Sequence, residues 1–98
     1  MISVYCRTNL DLHQAERFPK ELPSIPRVGD WIESGHTHKT ERGDFVLSLK
    51  VVEIRWEYRQ RTDSWTPVVE LHDGRQRTIY DFYQWYAPLV GMHVGAFV

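Results

Sequence analysis

The chain has 98 residues, enough for one hydrophobic core and too few for two, so a single domain over residues 1–98 is expected. Its hydrophobic fraction of 42% and charged fraction of 26% are ordinary globular values, which excludes a disordered tail, a collagen-like chain and a membrane span. Twelve basic and thirteen acidic residues leave a formal net charge of −1, so no global field draws in nucleic acid or acidic lipid. The departure from the ordinary is aromatic, at 13% with four Trp and five Tyr.

Ile2, Val4 and Cys6 alternate with Ser3, Tyr5 and Arg7, the period of a strand with one buried face. Cys6 is the single cysteine, and on that face it reads as a small buried hydrophobe in a reducing, cytoplasmic protein. The same residues lack a basic start, an apolar core and a small-residue cleavage site, so no leader peptide is expected. Residues 8–18 mix the cap formers Thr8, Asn9 and Asp11 with Leu12, Ala15 and Phe18, and are read as an extended return rather than a helical turn. Pro19, Pro23 and Pro26 exclude a regular helix and deny a ladder its donors, giving a stiff connector. Arg27-Val28-Gly29-Asp30 predicts a turn with Gly29 at positive φ, feeding a short strand over residues 31–34. Residues 35–43 are polar apart from their glycines and predict a surface loop.

The strongest pattern follows. Phe45, Leu47, Leu49 and Val51 are apolar at odd positions; Val52, Ile54, Trp56 and Tyr58 are apolar at even ones, with Glu53, Arg55, Glu57 and Arg59 between them. The phase flips at Val51-Val52, which predicts a β-bulge and a bent strand. A polar turn over residues 61–64 leads to Trp65, Val69 and Leu71 on one face of the next strand, and Pro67 marks part of it as an edge. Asp73-Gly74 ends this hairpin. Thr78 as N-cap, Asp81 three residues on, and Ile79, Phe82, Tyr83 and Tyr86 at helical spacing predict an amphipathic helix ended by Pro88 and Gly91. Trp85 is offset from that stripe and left to face a second surface.

Candidate chemistry is sparse. His36 and His38 point the same way on extended backbone and form the best metal pair, with Glu41 or Asp44 as a carboxylate, but no further ligand is fixed by spacing. His72-Asp73 is the best acid–base pair, although neighbours on a strand face opposite ways and Asp73 is explained by its turn. No complete catalytic set or nucleotide loop is visible, so no catalytic residue and no cofactor is assigned. Arg55, Arg59, Arg61, Arg75 and Arg77, with Trp56, Tyr58 and Trp65 nearby, would suit a single-stranded nucleic acid; five acids in the same window argue for ion pairing instead. Trp31, Trp56 and Trp65, with Tyr83 and Trp85, would line a ligand surface. In the tail, eight of the residues 87–98 are Ala, Leu, Val, Met or Phe, and Val94, Ala96 and Val98 alternate as a final strand would. Such an end left in water is an aggregation hazard, which points to an interface between copies built on Tyr80, Trp85, Met92, Val94 and Phe97.

The prolines from Phe18-Pro19 to Pro26, the Arg27-Val28-Gly29-Asp30-Trp31 turn, the bent Val51-to-Tyr58 strand and Pro67-Val68-Val69-Glu70-Leu71 together resemble short uncharacterised bacterial proteins. In these a Pro-Arg-hydrophobic-Gly-Asp turn feeds a small curled β-barrel, and some travel on mobile elements such as integron gene cassettes. The C-terminal helix and tail lie outside that pattern. The resemblance implies a fold and a cytosolic bacterial origin, with no assigned reaction.

The expected fold is mainly β (α+β): a curled antiparallel sheet or small SH3-like barrel of five or six strands with one C-terminal helix. The expected function is a small binding or interaction module without catalytic activity, assembled as a dimer or tetramer of itself, with a small ligand or protein as further partner. A single-stranded nucleic-acid binder is the alternative, and a metal- or His-dependent enzyme the second. No membrane association is expected.

Overall fold

The computed structural model describes residues 1–10, 12, 16–75 and 77–91. Six strands, β1 (Ile2–Ser3), β2 (Tyr5–Thr8), β3 (Glu21–Leu22), β4 (Trp31–Thr40), β5 (Gly43–Arg59) and β6 (Ser64–His72), precede one helix, α1 (Ile79–Leu89), among these residues. The coarse class is therefore as expected: mainly β with one helix.

The N-terminal alternation holds, but the strand changes partner midway. Ile2 and Ser3 pair antiparallel with Leu22 and Glu21. The Val4 N–H still donates to the Lys20 carbonyl at 2.9 Å, and from Tyr5 the chain runs parallel to β6. The β3 pairing is two residues long because it lies between Pro19 and Pro23, neither of which offers a donor. The predicted turn is present: Gly29 has φ 102°, the Asp30 N–H donates to the Arg27 carbonyl, and the Asp30 carboxylate accepts from the Arg27 N–H at 2.9 Å.

The main sheet has the order β2-β6-β5-β4, with β2 parallel to β6 and the other pairs antiparallel. Of the two forms expected, a curled antiparallel sheet or a small SH3-like barrel, it is an open, mostly antiparallel sheet and not a closed barrel. Among the described residues its outer strands β2 and β4 do not pair with each other, and side chains from α1 and from Leu10 and Leu12 cover the core face instead. The bulge is where the phase flip put it: Val51 faces Leu71, Glu53 faces Glu70, and Val52 has no partner. Ile54, opposite Val69, is thereby returned to the core side.

Residues 35–43 are not a loop. β4 continues to Thr40, with His38 opposite Phe45 and Lys39 opposite Asp44, and only Glu41 and Arg42 form the turn. An edge strand has one neighbour and a wet face, so polar residues suffice for it. The Thr40 hydroxyl donates to the Gly43 carbonyl and closes the hairpin.

The Thr78 cap is as predicted, accepting from the Asp81 N–H at 3.1 Å. Pro88 lies inside the last helical turn rather than ending it; the missing N–H costs one bond there, and Gly91 at φ 71° follows the C-cap Val90. Leu47, Leu49, Val51, Val69 and Leu71 from the sheet and Phe82, Tyr83 and Tyr86 from the helix make the core. Among the described residues no helix is long and apolar enough to cross a membrane. Part of the extended return over residues 8–18, and the final strand with Met92, Val94 and Phe97, lie outside the described residues.

Candidate functional site

Two places concentrate chemistry: the far end of the β5–β6 hairpin, and a polar cluster under the helix. The hairpin outruns the sheet. β4 reaches only Lys50 of β5, and β2 begins only at Val68 of β6, so residues 56–67 form a two-stranded ribbon. Directly opposed residues share a face of the ribbon, so Trp56 with Pro67 and Tyr58 with Trp65 continue the face that begins with Ile54 and Val69. Nothing covers that continuation among the described residues: Trp56 is 52%, Tyr58 47% and Trp65 62% exposed. Tyr58 and Trp65 rings lie 5.0 Å apart. The Tyr58 hydroxyl donates to Asp63, a turn residue at φ 48°, across 2.5 Å. That bond, with some desolvation, keeps the phenol protonated beyond its ordinary range. On the opposite face Arg55 bridges Glu53 at 3.4 Å and Glu57 at 3.8 Å.

The polar cluster is built by a bulge in β4. Between Glu33 and Thr37 the register slips, and the backbone there receives the chain at Arg17. The Gly35 N–H donates to the Arg17 carbonyl, and buried Ser34 accepts from the Arg17 and His36 N–H groups. A side chain at position 35 would bring its Cβ to 3.1 Å from the Arg17 oxygen, which accounts for glycine. Arg17 is thereby fixed, and the neighbouring Glu16 side chain is held under the helix, fully buried. Its Oε1 accepts from Tyr86 and lies 2.5 Å from His38 Nε2. Burial, and then the Glu16 carboxylate, push the Tyr86 hydroxyl far above the ordinary tyrosine range. His36 packs edge-on against His38 with ring centres 4.4 Å apart. Glu16 also lines a cavity of about 200 Å³ with Cys6, Thr8, Leu10, Leu12 and Phe18. Burial raises the Cys6 thiol, which opposes a nucleophilic thiolate.

This cluster corrects the expected chemistry at the histidines. The carboxylate at His38 is Glu16; Asp44 instead pairs with Lys39 at 3.0 Å, and Glu41 sits in the turn. Among the described residues, no three His, Cys, Asp or Glu side chains are grouped to hold a metal ion. The His72-Asp73 pair is not assembled either, since Arg77 takes the Asp73 carboxylate with two bonds of 2.9 and 3.1 Å. Burial pushes Asp73 up, but its hydrogen bonds to Arg77 and Arg75 outweigh this and hold it below the usual carboxylate range.

The structure divides the five arginines. Arg55, Arg59 and Arg61 belong to the ribbon, whereas Arg75 and Arg77 lie over the Trp85 ring at 5.6 and 4.3 Å. Trp85, half-buried, is wedged between these cations and Phe45, whose ring centre is 5.7 Å away. Tyr80 remains exposed on the helix. Trp31 is exposed but stands apart from Trp56 and Trp65, its indole lying against Gly74. Glu16 and Tyr86 escaped the sequence reading as a pair. Tyr86 was visible only as a core position, and Glu16 stood in a segment with no period.

No family model, curated protein or solved structure matches the chain.

Proposed function

We propose that the chain is a small, non-catalytic binding module that assembles with copies of itself in a bacterial cytoplasm. The observation that carries this reading is the aromatic face of Trp56, Tyr58 and Trp65 on a ribbon that extends past its own sheet. An isolated two-stranded ribbon is marginal in water, and contiguous exposed aromatics mark interaction sites. In this reading the Glu16–His38–Tyr86 cluster is an anchor that ties the Arg17 segment to sheet and helix. Light scattering tests it: the wild-type chain should have the mass of two or more copies, and Trp56→Ala/Trp65→Ala should shift it toward one while the circular dichroism stays that of a folded β protein. A wild-type chain that is a single copy at tens of micromolar, on the order of a transient interface's affinity, refutes it.

A single-stranded nucleic acid is the second reading, favoured by Arg59 and Arg61 beside the paired Tyr58 and Trp65 rings. It requires oligonucleotide binding that weakens steeply with salt.

A further inference from the structure

The open edge of β5 carries a sequence that matches its own antiparallel copy. Val51 turns its backbone outward: its N–H donates to the Asp30 carbonyl and its C=O accepts from the Gly29 N–H, both at 2.8 Å. The unpartnered Val52 shifts the alternation by one residue. Beyond it, Ile54, Trp56 and Tyr58 are the residues whose N–H and C=O face away from β6. Among the described residues no backbone hydrogen bond reaches this edge. A row of unpaired donors and acceptors is a template for one more strand.

The side chains select which strand. Residues 53–59 read Glu-Ile-Arg-Trp-Glu-Tyr-Arg. Laid antiparallel on a second copy about Trp56, Glu53 meets Arg59 of the other copy, Arg55 meets Glu57, Ile54 meets Tyr58, and Trp56 meets itself. Every charged residue then faces its opposite. A slip of the dyad to Arg55 sets Glu53 against Glu57, and a slip to Glu57 sets Arg55 against Arg59; like charges directly opposed are destabilising. A dyad between residues would set outward-facing backbone against inward-facing backbone. Dyads at Ile54 or Tyr58 keep two unlike pairs where Trp56 has four, and the Tyr58 dyad also sets Arg55 against Arg61, so charges that guard an edge against foreign strands favour the chain's own copy in the Trp56 register.

We infer that the chain dimerises by antiparallel pairing of the two β5 edges about Trp56. This rests on the self-association reading above and specifies its geometry: one sheet runs through both copies, with Trp56, Tyr58 and Trp65 of each on a shared face. The partner is a second copy of this chain rather than a foreign protein, because the charge match is palindromic.

The test uses paired charge reversals in the full chain. Arg55→Glu alone and Glu57→Arg alone each turn two opposed pairs into like pairs, and each should raise the dimer dissociation constant by about tenfold or more. An equimolar mixture of the two variants restores Arg opposite Glu at both places, so it should recover dimers that pair one variant with the other. The Arg55→Glu/Glu57→Arg double variant should likewise dimerise by itself. Recovery in the mixture shows that the single variants were folded. A wild-type dimer that both reversals leave unchanged, or a mixture that stays monomeric, overturns the edge pairing while leaving self-association standing. A monomeric wild type, including one that binds only an oligonucleotide, overturns both.

Discussion

Burying the Glu16 carboxylate between a sheet and a helix costs free energy that its hydrogen bonds must offset. Tyr86 supplies one of those bonds from the buried face of α1. Tyr86→Phe should therefore destabilise the chain by about 1.5–3 kcal/mol, the range for a hydrogen bond to a charged group, seen as a lower urea midpoint at unchanged slope. The same residue sets an alkaline limit. Its folded-state pKa is raised by burial and by Glu16, so its stabilisation is whole below the unfolded tyrosine value of about 10. Above that pH the unfolded chain releases a proton that the folded chain keeps, and stability falls as pH rises. Urea unfolding at stepped alkaline pH should show this fall, and Tyr86→Phe should flatten it. Gly74 offers a milder prediction. A Cβ there would lie 2.2 Å from the Trp31 indole, and that indole is exposed and free to swing. Gly74→Ala should alter tryptophan fluorescence with a stability change of about 0.5 kcal/mol or less.

At the scale of elements, the bent strand was legible in detail and the edge strand was not. The bulge could be read because a period of two admits only one repair of a flipped phase: a single extra residue. Deleting Val52 therefore leaves a plain strand in which Glu53 still faces Glu70 and Ile54 still lies on the core side opposite Val69. The deletion should straighten the strand at a cost of about 1 kcal/mol or less, and Val52→Ala, at an exposed position, should cost about 0.5 kcal/mol or less; thermal unfolding followed by circular dichroism compares them, and a loss of about 3 kcal/mol or more on deletion contradicts this register. The helix was legible for a similar reason, since cap and stripe reinforce each other at Thr78, Asp81, Phe82 and Tyr86. Residues 35–40 read as a loop because polarity signals water, not backbone conformation. β4 is polar because it is the edge of a sheet, a fact about neighbours that local composition does not carry.

The whole molecule is longer than its size requires. Its radius of gyration is 14.7 Å, against about 13 Å for a compact chain of this length, and its extents are 46 × 25 × 24 Å. The excess accords with the ribbon beyond Val51, which has neither β4 nor β2 beside it over residues 56–67. An assembly that orders such a ribbon links folding to association. The thermal midpoint should then rise by about 3 °C for a tenfold increase in protein concentration, measured by differential scanning calorimetry; a midpoint independent of concentration contradicts the linkage.

Residue order alone settled the features in which near neighbours constrain one another: the strand period, the bulge at Val52, the Gly29 and Asp73-Gly74 turns, and the capped helix. Contacts distant along the chain settled the rest. The parallel addition of β2, the failure of the sheet to close, and the meeting of Glu16 with Tyr86 across 70 positions follow from which surfaces the fold brings together. A periodic pattern says which face of an element is oily. It does not say which partner will cover that face, because that choice depends on shape and leftover polar groups summed over the entire core.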